Sequence, residues 1–267
     1  MDNLHRDLAP VSTAAWAEIE DEATRTLKRY LGARRVVDVV GPRGVNFSAV
    51  GTGHIKEIKT PFDQVETWQR EVKPLVELRV PFDLSRDAID DVARGSSDSD
   101  WEPVKEAARA IAFAEDRSVF EGFGAAGIGG MREESSNDPV TLPDHVADWP
   151  ETVAQAISAL RLAGVDGPYA LVLGATPYTD ASGGSDDGYP LLRHIEREVD
   201  EVIWAPAIEG GYVVSTRGGD FELSIGQDFS IGYLSHDASS VKLYLQETFV
   251  FRVLTTEAII SLTSPSS

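Results

Sequence analysis

Trp101-Glu-Pro-Val-Lys-Glu-Ala-Ala-Arg-Ala-Ile-Ala-Phe-Ala-Glu-Asp-Arg-Ser-Val-Phe120 is the clearest helical stretch of the chain. Val104, Ala107, Ala108, Ile111 and Ala114 recur at three- and four-residue steps, which a 3.6-residue period gathers on one face. Ser99 and Glu102 have the spacing of a capping box, and Pro103 falls in the first turn, where its missing N–H costs nothing. So much alanine on the apolar face lets a neighbouring backbone approach closely, so this helix is expected to be the spine of the main domain.

On its N-terminal side, Thr13 is placed to cap a helix running to Tyr30, with Trp16, Ile19, Ala23 and Leu27 as its buried stripe. Gly32 ends that helix, and Val36-Val-Asp-Val-Val40 reads as a strand. Residues 45–82 are mostly extended, with Phe62, Val65 and Trp68 in a polar stretch that has no buried face of its own. Such strands suggest a projecting arm that gains its packing from another subunit. Past the spine, Gly122-Phe-Gly-Ala-Ala-Gly-Ile-Gly-Gly130 reads as a hinge or tight crossing, and Asp148 with Glu151 as a second capping box. Tyr169–Leu173, Glu201–Trp204, Gly211–Thr216, Phe221–Ile225 and Phe229–Tyr233 read as strands. Val241–Val253 alternates long enough to cross a whole sheet.

The 267 residues carry 44 Asp and Glu against 24 Lys and Arg, a net charge of -20, which argues against generic nucleic-acid binding. Without cysteine, disulfides, thiolate nucleophiles and Cys-ligated metals are excluded. No apolar run has the length of a signal peptide or a membrane span, so neither is expected.

Each candidate for chemistry has a plainer competing explanation. Gly122-Phe-Gly-Ala-Ala-Gly127 has the spacing of a dinucleotide loop, but a helix precedes it and no good helix follows. The five histidines form no metal-binding pair. Ser185, Asp186, Asp187 and His194 include the residue types of a hydrolytic triad, yet they occupy a glycine-rich polar loop without a nucleophile elbow. Asp87, Asp90 and Asp91 fit a solvated helix face, and Asp98 and Asp100 a cap or a loop rather than a calcium site. The expectation is no catalytic, cofactor or metal site; the competing class is a peptidase or bacteriocin-like enzyme.

Passages dispersed along the chain carry a resemblance. They include Leu4-His-Arg-Asp-Leu-Ala-Pro10, Ala14-Ala-Trp-Ala-Glu-Ile-Glu20, Gly32-Ala-Arg-Arg-Val-Val-Asp-Val39, Asp90-Asp-Val-Ala-Arg-Gly95 and Ala114-Glu-Asp-Arg117. They continue through Gly164-Val-Asp-Gly-Pro-Tyr169, Trp204-Ala-Pro206, Thr216-Arg-Gly-Gly-Asp-Phe221, Ser230-Ile-Gly-Tyr233 and Tyr244-Leu-Gln-Glu-Thr248. In these the chain resembles the encapsulin shell proteins of type 1, the linocin or bacteriocin-like family, and most closely their actinobacterial members.

The resemblance implies an α+β fold of the phage-capsid-like, HK97 type. It divides the chain into a peripheral domain (1–44, 81–130 and 221–267), an extended arm or E-loop (45–80) and an apical domain (131–220). It implies a closed icosahedral homo-oligomer of sixty copies, a cytoplasmic compartment whose particles are in some cases released to the medium, with no nucleic-acid or membrane partner. The cargo is expected to be a dye-decolorizing peroxidase held through a short C-terminal peptide, with an oxidative-stress role. By the same resemblance Ile19, Leu27, Arg34, Asp38, Asp228, Ile231 and Tyr233 form the docking surface. Ser185, Asp186, Asp187, Gly188 and Tyr189 line the five-fold pore. Some relatives stack flavin on an outer-surface aromatic; Ser85 stands there in this chain, which removes the platform.

Overall fold

The structure is a computed structural model that describes residues 3–186 and 189–264. After a 3-10 turn at Arg6–Leu8 come helix α1 (Thr13–Tyr30) and strand β1 (Asp38–Val40). Strands β2 (Ala49–Glu57) and β3 (Trp68–Pro74) form an antiparallel hairpin that leads into β4 (Val76–Ser85). Helices α2 (Arg86–Ala93), α3 (Glu102–Phe120) and α4 (Met131–Glu134) follow, then β5 (Val140–Thr141), α5 (Trp149–Leu162), β6 (Tyr169–Leu173) and α6 (Ala175–Gly183). A tight pair, β7 (Ser185–Asp186) and β8 (Tyr189–Pro190), precedes α7 (Leu191–Ile195). The remaining strands are β9 (Glu201–Trp204), β10 (Gly211–Ser215), β11 (Phe221–Ile225), β12 (Ser230–His236), β13 (Ser240–Val253) and β14 (Ile259–Thr263).

Strand β13 organises the first sheet. One of its edges pairs with β11 and β12 in succession, while β4 runs along the other from Ser85 opposite Ser240 to Val76 opposite Phe249. Its alternation makes the face: Val241, Leu243 and Leu245 are buried against α1 and α3, where they meet Ile19, Ala23, Val104, Ala108 and Ile111. Burial of each such aliphatic side chain stabilises by about 1.5–3 kcal/mol before entropy is charged against it.

The second sheet has the order β5-β14-β10-β6-β9. Leu171, Val172, Val213 and Ile260 lie in its core. Helix α3 serves both bodies, because Val104 to Ile111 join the first core while Val119 and Phe120 join the second. Tyr212 stacks on Phe120, 5.0 Å between ring centres, and donates to its carbonyl at 3.1 Å. Residues 259–263 leave the first sheet for the second, so by hydrogen bonding the C-terminal strand joins residues of 131–220 rather than those of 221–253.

Among its apolar residues the β2–β3 hairpin buries Val50, which joins the second core, while Ile55 is 55% and Val72 54% exposed, as is Phe62 between the strands at 66%.

Three caps differ from the sequence reading. Ser12, not Thr13, caps α1, its hydroxyl accepting from Ala15 N at 3.2 Å. At α3 the Ser99 hydroxyl is buried without a partner, and Asp100 instead accepts from Glu102 N at 3.0 Å. An Asp one residue nearer the helix reaches the orphan N–H first. Asp148 makes no side-chain cap at α5. Gly122 to Gly130 is a tight crossing closed by a Phe123–Ile128 bridge, and a Cβ on Gly130 would collide with Gly122 N.

Candidate functional site

A groove of about 430 Å³ runs between α1 and the start of β12. Its apolar floor is Ala23 and Leu27 of α1 with Ile231 and Leu245 of the first sheet. Glu20, Asp21 and Thr24 form one rim; Phe229 and Ser230 form the other. Leu4 and Arg6 close one end. That N-terminal segment is tied down where Tyr233 N donates to the Leu4 carbonyl at 2.8 Å and Asn3 Nδ2 donates to Gln227 Oε1 at 2.8 Å. The Arg6 guanidinium pairs with Glu20 and lies 4.0 Å from the centre of the Trp16 ring.

Behind the Phe229 wall is an ion cluster. Gly32 ends α1 in a crowded crossing, where a Cβ would lie 2.7 Å from that of Ala205, and a 3-10 turn at Ala33–Arg35 follows. The turn is fixed by Asp116 of α3, which accepts from Gly32 N and Ala33 N, each at 2.9 Å. Burial pushes the Asp116 carboxyl up to about 7, against the pull of those two donors. The turn aims Arg34 at three carboxyl groups: Glu115 of α3 (2.6 Å), Asp228 (2.9 Å) and Glu247 of β13 (3.2 Å). Burial works against the Arg34 charge, but the hydrogen bond and the charge of Glu115 outweigh it and hold the guanidinium above its ordinary value. Burial, and then the Glu115 charge, drive the Glu247 carboxyl well above the usual range.

Of the residues implied as a docking surface, Leu27 and Ile231 line the groove. Ile19 is fully buried in the core. Arg34 and Asp228 sit one layer behind: the Arg34 guanidinium carbon is 4.4 Å from the Phe229 ring centre, and Asp228 Oδ1 accepts from Phe229 N at 2.9 Å. Tyr233 lies farther along β12, its hydroxyl 2.6 Å from His236 Nδ1. Asp38 is elsewhere, on β1, accepting from Gly219 N at 2.6 Å; it does not pair with Arg34. The structure adds Leu4, Arg6, Phe229 and Leu245. Leu245 was legible as Ile231's partner in a β alternation, whereas Leu4 and Arg6 reach the groove only through tertiary folding.

Of the residues implied to line a pore, Ser185 pairs with Pro190, and Tyr189 stacks on His194 with ring centres 4.7 Å apart. Asp187 and Gly188 lie outside the described residues, and Asp186 is described only in its backbone pairing with Tyr189. Ser85 caps α2, accepting from Asp87 N at 3.1 Å. Among the described residues no group of three His, Asp or Glu is set to hold a metal, and no helix is long and apolar enough to cross a membrane.

A family model described as encapsulating protein for peroxidase matches residues 1–250. The chain is 57% identical over 263 residues to a type 1 encapsulin shell protein of Rhodococcus erythropolis, covering 98% of this chain and 100% of that one. It is also 57% identical over 263 residues to one from Mycobacterium tuberculosis, covering 98% and 99%. Among solved structures, a virus-like particle from Pyrococcus furiosus superposes with a TM-score of 0.63 at 15% identity, covering 92% of this chain and 98% of that chain. The capsid of the Myoviridae phage XM1 gives 0.56 at 12% identity, covering 88% and 92%. At those identities the structures establish the fold, which is that of phage capsids.

Proposed function

From the premise that this chain belongs to the type 1 encapsulin shell family, we propose that sixty copies close into its shell and that the α1–β12 groove receives the C-terminal peptide of a dye-decolorizing peroxidase. A member of this family is a structural, non-catalytic subunit that self-assembles into a cytoplasmic compartment with pores around its cargo. The groove supports the docking assignment. It has an apolar floor for aliphatic anchors, a charged rim to fix their direction, and a volume inside the usual range for ligand sites, about 300–1,000 Å³.

The peripheral (1–44, 81–130, 221–267), arm (45–80) and apical (131–220) portions are proposed as the working parts, with residues 259–263 hydrogen-bonded to the apical sheet. Ser185, Asp186, Asp187, Gly188 and Tyr189 are assigned to the five-fold pore. Five copies would bring ten carboxylates of Asp186 and Asp187 around one opening, which favours cations and small polar solutes. Enclosing a peroxidase would give the compartment a role under oxidative stress. Release of intact particles is the second location, tested by blotting filtered culture medium.

The test co-expresses the shell with the peroxidase, with and without the enzyme's C-terminal tail. Electron microscopy should show closed particles, and peroxidase should copurify only when the tail is present. Leu27→Asp and Ile231→Asp should abolish copurification. Equal copurification of tailed and tailless enzyme would overturn the reading.

A further inference from the structure

Three carboxyl groups face one cation behind the groove wall. Glu115 and Glu247 have no exposed side-chain surface, Asp228 is 44% exposed, and Arg34 is the shared partner. Fully ionised, the cluster would carry two uncompensated negative charges, with water able to reach only Asp228. Asp116, the next residue on α3, is engaged by two backbone donors and brings no cation. From β4, Arg79 is on the opposite face of the sheet: it lies opposite Gln246, which it contacts, and pairs with Glu77. The β4 residue opposite Glu247 is Leu78. Glu247 Oε1 is buried with no hydrogen-bond partner, a position in which an ionised oxygen would be paired with nothing. A second carboxyl held away from water beside a guanidinium already paired with Glu115 does not ionise alongside it.

We propose that Glu247 holds a proton in the folded shell, and that its neutral form lets Arg34, paired with Glu115, rest against Phe229, making Glu247 a positioning residue for the groove. The proposal rests on the docking reading above. The coupling route is short. Arg34 stacks on Phe229, and Asp228 Oδ1 accepts from both Arg34 Nη1 and Phe229 N, each at 2.9 Å. Losing the proton adds an anion beside Arg34, draws the guanidinium inward and repels Asp228, which loosens the wall.

The sign is set by Glu247, whose folded-state carboxyl is raised above its ordinary value by burial and then by Glu115. A proton bound more tightly in the folded state gives a contribution that is complete in acid and lost as pH rises through the folded value. The tight wall is therefore the lower-pH form.

The test uses the assembled shell. Amide exchange of residues 226–232, corrected for intrinsic rate, is compared at about pH 6 and about pH 9. Wild type should lose protection roughly tenfold at the higher pH, the change that follows from about one pH unit of linkage, while Glu247→Gln should hold it constant. Glu247→Met supplies a second uncharged side chain should the first variant fail to assemble. Superimposable pH profiles for wild type and variant would overturn the proposal. In parallel, a fluorescein-labelled synthetic copy of the peroxidase tail is loaded during shell reassembly at both pH values. Loading should fall severalfold in wild type and stay flat in Glu247→Gln; flat loading in both removes the positioning role. Exchange that depends on pH with no loading at either pH would instead defeat the docking reading and leave the Glu247 proton standing.

Discussion

Replacing Arg34 with Met keeps an unbranched stem, shortens the side chain by two atoms and removes its charge. Arg34 donates to Glu115 from Nε and Nη2, to Glu247 from Nη2 and to Asp228 from Nη1. Asp228 can turn to water, so its loss is worth about 0–1 kcal/mol. Glu115 and Glu247 cannot, and removing one partner of a buried ion pair costs about 3–5 kcal/mol. At the roughly 2–4 °C per kcal/mol of chains this size, melting should fall by about 6–20 °C. The assay is tryptophan fluorescence of the assembled shell during heating, at one protein concentration and scan rate, because assembly and irreversibility both move the midpoint. Adding Glu115→Gln and Glu247→Gln to Arg34→Met should restore most of the loss, since the uncompensated charge is then gone. An Arg34→Met shell within about 1 kcal/mol of wild type, or a triple variant no better than the single, would refute the electrostatic account.

Asp116→Ala should cost about 2–6 kcal/mol, because Gly32 N and Ala33 N are left buried without acceptors; denaturant midpoints measure it. Leu245→Ala should cost about 2–5 kcal/mol and deepen the groove floor, read as lower stability together with weaker retention of cargo. Ile55→Asp combined with Val72→Asp should leave the subunit folded, since both side chains are more than half exposed, yet prevent particle formation; native mass spectrometry decides. Gly130→Ala should destabilise by about 1–3 kcal/mol, because the new methyl meets the Gly122 backbone, which has no rotamer to yield; the melting temperature of the shell shows it.

Much of this architecture is local and therefore readable along the chain. The period of Trp16, Ile19, Ala23 and Leu27 and the alanine-rich face of α3 each state which face is buried, and those helices lie where the patterns place them; the alternation of Val241 to Val253 places β13, although both of its faces are largely buried. The exposure of Phe62, Val65 and Trp68 was legible for the opposite reason: no pattern buries them within one copy. Caps were less legible, because Ser99, Asp100, Ser12 and Thr13 compete within a residue of one another and the backbone angle decides which oxygen reaches the free N–H.

Residue order thus settled the family and most of the elements, since these depend on dispersed identities and on periodicity. It could not settle that Arg34 is consumed by Glu115, Asp228 and Glu247, that Asp38 stays with Gly219, or that Leu4 and Arg6 close the groove. These contacts join residues as much as 213 positions apart, Arg34 to Glu247. Charge pairing in a buried site depends on distance and desolvation, which exist only once α1, α3 and β13 have packed together.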